Sequence, residues 1–132
     1  MNPLFHQLFQ QNRYMVNRLN DVLAQHELYS SQWTILFLLE QKGPMTLTAI
    51  WKYLNVEAPT VTRTVTRLEK LGWVTREQGA DKREKIIHLT EMAHVRFPQI
   101  AASVKDYERE MTQHLTQEEQ QQLMDLLQKM KA

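Results

Sequence analysis

Between Asn2 and about Gln25, the apolar residues Leu4, Phe5, Leu8, Phe9, Met15, Val16, Leu19 and Leu23 recur at spacings of three and four. That is the period of one helix face, so the chain is expected to open with an amphipathic helix. SSQWTILFLLEQ, starting at Ser30, is apolar nearly all round, which places a second helix in the centre of the core. TLTAIWKYL and EAPTVTRTVTRLEKLG follow as two more helices with Asn55 and Val56 between them. Thr46 has the chemistry of an N-cap for the first, and Pro59 falls in the first turn of the second, where its missing N–H costs little. A short helix, a tight turn and a second helix form helix-turn-helix grammar. The period then switches to two. WVTRE and KIIHL alternate as the strands of a hairpin, and the charged stretch beginning at Gly79 is its loop. Thr90 can cap a long helix interrupted or bent near Pro98, and Thr116 and Glu119 have the capping-box spacing at the start of a last helix. Gly43 and Gly72 stand where two helices should stop.

This pattern predicts a mainly α fold with a small β-hairpin wing: a winged helix-turn-helix region over residues 29–90 and terminal helices over 1–28 and 91–132, all in one domain. Val104, Tyr107 and Met111, together with Leu123, Leu126, Leu127 and Met130, make apolar faces on the C-terminal helices. A compact middle unit of about 50 residues is too small to cover them and the first helix as well. A homodimer joined through both termini follows; the alternative is that these helices fold back on their own domain.

Composition narrows the function. With 132 residues, 42% hydrophobic and 23% charged, the chain suits one folded domain. It has no cysteine, which excludes disulfides, thiol switches and thiolate metal sites. No leader-like segment or membrane-length apolar run is visible, so a cytoplasmic, membrane-free protein is expected. The net charge is only +1, but residues 52–88 hold eight basic and five acidic side chains, while residues 89–132 hold five and seven. Positive charge gathers around the second helix of the pair and the hairpin, as an electrostatic footprint for nucleic acid would.

On the helix from Glu57 to Leu71, Val61, Val65 and Leu68 must face inward. Thr62, Arg63 and Thr66 then look outward, with Thr60 and Arg67 on the flank. Arginine can donate two bonds to guanine O6 and N7, and threonine can meet phosphates, base edges or a thymine methyl. An ordinary solvated face is the competing reading, yet such a face seldom carries four threonines, which are poor helix formers. The hairpin adds Lys82, Arg83 and Lys85, with Arg83 at the tip and able to enter a minor groove. Asp81 fits as a support for the wing, either accepting backbone bonds in the turn or orienting Arg83 or Arg67. Here too a plain charged turn is the competing reading.

DKREKIIHLT resembles the D-x-R-x-x-x-x-x-L-T wing signature of the MarR family of bacterial transcription regulators, with Asp81, Arg83, Leu89 and Thr90 on its positions. APTVTRTVTRLEKLGWVTR is similar to that family's recognition helix, and the likeness extends over almost the whole chain. The resemblance implies a winged helix-turn-helix homodimer that binds pseudo-palindromic double-stranded DNA, commonly as a ligand-released repressor. Thr62 and Arg63 match its reading positions and Arg83 its wing arginine. Glu57 departs from the usual hydroxyl at the helix start, and a carboxylate there would repel phosphate; Thr60 is the substitute contact. The family's effector pocket lies between dimer helices and winged domain. Phe9, Arg13, Tyr14, Tyr29 and Trp33 could line it for a small aromatic or anionic molecule. The competing reading is that the rings are core and Arg13 is solvated.

The five histidines have no metal-ligand spacing, and no phosphate loop, nucleophile elbow or zinc-protease motif is present. Neither an enzyme nor a cofactor or metal is implied. The rival from another class is a winged-helix interaction module binding an acidic protein surface.

Overall fold

The computed structural model describes residues 1–81 and 83–131; Lys82, placed on the wing by the sequence, lies outside them. Helices α1 (Pro3–Ala24) and α2 (Ser30–Lys42) are followed by a two-residue strand β1 (Met45–Thr46) and the paired helices α3 (Leu47–Leu54) and α4 (Ala58–Lys70). The hairpin is β2 (Val74–Gln78) and β3 (Lys85–Leu89), and the chain ends in α5 (Glu91–Met111) and α6 (Gln117–Lys129). The expected mainly α architecture with a small wing is present.

Local chemistry sets the boundaries. Asn2, Thr46, Thr90 and Thr116 each accept a backbone N–H at the start of a helix, and Glu119 completes the capping box at α6. The helix-turn-helix corner depends on Asn55, whose φ of 55° lets the Val56 N–H reach back to the Trp51 carbonyl at 3.2 Å. Asparagine tolerates this left-handed geometry better than most side chains. Gly72, at φ 87°, makes the same reversal after α4, with the Trp73 N–H on the Leu68 carbonyl at 2.9 Å. This turn delivers the chain from α4 to the hairpin.

The sheet has three strands in the order β1-β3-β2, all antiparallel. The sequence pattern predicts only the hairpin, because β1 is too short to show a period. Leu23, Leu36, Ile50, Val61, Val65, Leu68, Val74, Ile87 and Ile100 are fully buried, so α1 to α5 and the hairpin share one core. Each such side chain contributes roughly 1.5–3 kcal/mol by leaving water.

Two features differ from expectation at the C-terminal end. α5 runs unbroken through Pro98. Pro98 and His94 are both exposed, so the carbonyl that proline leaves without its N–H partner is on the solvated side. Val104 is buried within its own chain, and the Tyr107 hydroxyl donates to the Met15 carbonyl at 2.8 Å, tying α5 to α1. α6 fully covers none of its apolar side chains within the chain. It has no buried residue, and Leu123, Met124, Leu126, Leu127 and Met130 are all exposed.

Candidate nucleic-acid interface

α4 is seated by Val61, Val65 and Leu68, which point into the core. Its other face presents Thr62, Arg63, Thr66, Arg67 and Lys70 around one shallow depression. Four of the five predicted residues of this helix, Thr60, Thr62, Arg63 and Arg67, are exposed, and Thr66 is half-buried. Lys70 belongs to the same face, and its position one turn after Thr66 and Arg67 could have identified it.

The threonines are less free than the helical wheel suggests. Thr62 donates to the Ala58 carbonyl at 3.0 Å, Thr64 to the Thr60 carbonyl at 3.0 Å and Thr66 to the Thr62 carbonyl at 2.8 Å. A hydroxyl has a single proton, so while these bonds last the side chains can accept bonds or offer methyls but cannot donate to phosphate. Thr60 is different: its carbonyl accepts from Thr64, and its side chain is on the rim of a small apolar cavity with Ile35, Leu54, Val56 and Val61. Glu57, the N-cap of α4, is exposed and makes no side-chain cap bond, so its carboxylate adds negative charge without satisfying the helix end.

The arginines divide sharply. Arg18 pairs with Asp21 and Glu110, and Arg109 pairs with Asp106. Arg76 contacts Glu69 and donates to Thr66. Arg96 donates to the His26 carbonyl at 3.1 Å and lies 4.5 Å from the centre of the Trp73 ring, joining α5 to the base of the wing. Arg63, Arg67 and Arg83 instead have no ion pair or side-chain hydrogen bond among the described residues, and all three are exposed. Lys85, at the start of β3, is likewise exposed and unpaired there. Among the described residues, α4 and the hairpin thus carry three of the four uncommitted guanidinium groups; the fourth, Arg13, is exposed on α1.

At the wing, Asp81 does what one of its two expected roles requires. Its Oδ1 accepts the Arg83 N–H at 3.0 Å, and its carbonyl accepts the Glu84 N–H at 2.9 Å. The carboxylate therefore shapes the turn, and the Arg83 side chain is left free. Thr90, the last residue of the wing signature, is structural: its hydroxyl donates to the Gly72 carbonyl at 2.7 Å and accepts from the Ala93 N–H at 3.2 Å.

The five effector candidates do not share one environment. Trp33 is a core residue, stacked on Phe97 with ring centres 5.1 Å apart. Phe9, Arg13 and Tyr14 are exposed along α1. Tyr29 is exposed beside a cavity lined also by Asn20, Ala24, Glu27 and Leu28, none of them another of the five. Among the described residues no cluster of three or more His, Cys, Asp or Glu could hold a metal ion, and no helix is long and apolar enough to cross a membrane.

Residues 28–85 match the model of the family described as MarR. YwoH of Bacillus subtilis (strain 168), described as an uncharacterized HTH-type transcriptional regulator, is 49% identical over 82% of this chain and 79% of its own length. A mutant MarR from E. coli crystallised with operator DNA superposes with a TM-score of 0.93 at 28% identity, covering 99% of this chain and 95% of that one. The same mutant without DNA gives 0.78 at 28% identity, covering 98% and 96%. With this sequence identity, this match over the helix-turn-helix and wing, and this agreement along the backbone, the chain belongs to the MarR family.

Proposed function

We propose that the chain is a sequence-specific DNA-binding transcriptional regulator that works in the cytoplasm as a homodimer, a ligand-responsive repressor covering a pseudo-palindromic operator. The observation that carries this reading is the exposed set of uncommitted cations gathered on α4 and the wing, Arg63, Arg67, Arg83 and Lys85, on a scaffold where the other arginines, Arg13 of α1 apart, are held by a carboxylate or a carbonyl. The backbone is also nearer to the operator-bound mutant MarR than to its DNA-free form.

In a dimer built through residues 1–28 and 91–132, the exposed apolar face of α6 is covered by the partner. Two copies of α4 then enter successive major grooves about 34–36 Å apart. Arg63 reads base edges with Thr62 beside it, and Arg67 and Lys85 neutralise phosphates. Arg83 reaches the flanking minor groove, with Lys82 adding charge to the wing and Thr60 serving the corner where Glu57 is unhelpful. An effector would meet Tyr29 at the cavity it shares with Glu27, whose carboxylate disfavours an anion and leaves the aromatic class. Family membership favours this reading over a module that binds an acidic protein surface.

The test is selection of bound fragments from random duplex DNA at near-physiological salt, with wild type and Arg63→Ala side by side. An inverted repeat enriched by wild type and lost in the variant is expected. No enrichment by a folded, dimeric wild type would refute sequence reading by this helix.

A further inference from the structure

One cation near the interface is not free. Arg76 is on β2, where the alternation of the strand puts it on the same face as Val74 and opposite the fully buried Ile87. A core-facing position normally takes an apolar side chain. Here the arginine is half-buried and reaches across to α4, where its Nη2 donates to the Thr66 hydroxyl. Its Nε is 3.5 Å from Glu69 Oε1, a charge contact without hydrogen-bond alignment, since this buried nitrogen has no aligned acceptor. Thr66 in turn donates to the Thr62 carbonyl, so both the proton and one acceptor site of its hydroxyl are engaged.

We infer that Arg76 is a positioning residue for DNA recognition: it fastens the wing strand to the recognition helix through Thr66 and so fixes the spacing between Arg63 and Arg83. The inference rests on the regulator reading above and adds to it the residue that sets base discrimination from behind the interface. Groove and wing contacts must be made at once. A rotation of the hairpin about the Gly72 turn would move Arg83 relative to Arg63, and the Arg76 link is the side-chain contact that opposes it from the strand side. Thr66 acts as the receiver of this link and spends its proton on Thr62, which removes it from phosphate binding.

The experiment measures affinity for the duplex selected by wild type and for a scrambled duplex of equal length, using wild type, Arg76→Ala, Arg76→Lys, Thr66→Val and the Arg76→Ala/Thr66→Val double variant, each checked by thermal unfolding. Arg76→Ala is expected to lower the selected-to-scrambled ratio on the order of tenfold, the size of one charge-assisted hydrogen bond. Thr66→Val, which leaves every charge in place, should lower it comparably, and the double variant should be no worse than either single one. Arg76→Lys should fail to restore the ratio, because an ammonium cannot span Thr66 and Glu69 as the guanidinium does. A ratio unchanged in Arg76→Ala and Thr66→Val, with wild type discriminating, overturns the inference alone. A fall in both affinities by the same factor does so too. A folded wild type that discriminates no sequence overturns the regulator reading, and the inference with it.

Discussion

Replacing Lys85 by alanine separates phosphate neutralisation from base reading. Lys85 begins β3 opposite Gln78, is exposed, and has no ion pair among the described residues, so its loss leaves no buried partner stranded. Each phosphate neutralised by a protein cation adds about 0.9 to the steepness of log K against log salt concentration. A dimer presents the residue twice, so Lys85→Ala should make the slope shallower by about 1.8. Between 50 and 200 mM salt, the ratio of wild-type to variant affinity should then shrink by roughly 12-fold. Fluorescence anisotropy with the selected and scrambled duplexes at several salt concentrations reads both quantities. Parallel slopes would remove Lys85 from the phosphate backbone. A shallower slope accompanied by altered sequence preference would also refute the argument, because a pure phosphate contact weakens binding to all sequences alike.

Two predictions concern the scaffold. Thr90→Val removes the cap of α5 and the donor to the Gly72 carbonyl while keeping the side-chain shape; it should cost about 2 kcal/mol in urea unfolding at fixed protein concentration, and a loss below about 0.5 would show that the knot between wing and α5 is slack. His26 shares a 2.8 Å hydrogen bond with Ser103, and its pKa is held below the ordinary 6.5 first by burial and then by the Arg96 charge. The unfolded chain therefore takes up this proton more readily than the folded one, so the stability contributed by neutral His26 is complete above pH 6.5 and declines as pH falls from there through the lower folded value. Thermal unfolding from pH 7.5 to 5.5 should show the decline in wild type and a smaller one in His26→Asn; equal declines would exclude His26 as the cause.

Much of this was legible because the sequence punctuates itself. Thr46, Thr90, Thr116, Asn55 and Gly72 all perform the local jobs their side chains suit, and Val61, Val65 and Leu68 leave only one way to orient α4. Three matters were not local. β1 exists because Met45 and Thr46 meet Ile87 and Ile86 across the chain, and two residues cannot display a period. Trp33 reads as a pocket wall only until Phe97, more than sixty residues later, is found stacked on it. Period-two alternation puts Arg76 on the face of β2 that Val74 shares, but it does not show that a threonine and a glutamate on α4 receive the side chain. The hydroxyls of α4 are a local matter that a wheel still misses: outward direction is visible in it, but back-bonding to carbonyls four residues earlier is not.

The uncovered apolar side of α6 bears on gene dosage. A regulator whose operator-competent form is completed only by a second identical chain responds to its own abundance as a square while single chains predominate, and linearly once they are paired. Halving expression in the first regime would cut operator occupancy about fourfold rather than twofold. Should such a chain act on its own promoter, and should Leu123, Leu126, Leu127 and Met130 be what a second copy covers, changes at these exposed positions would set how abruptly the circuit switches, with α4 and the wing unaltered.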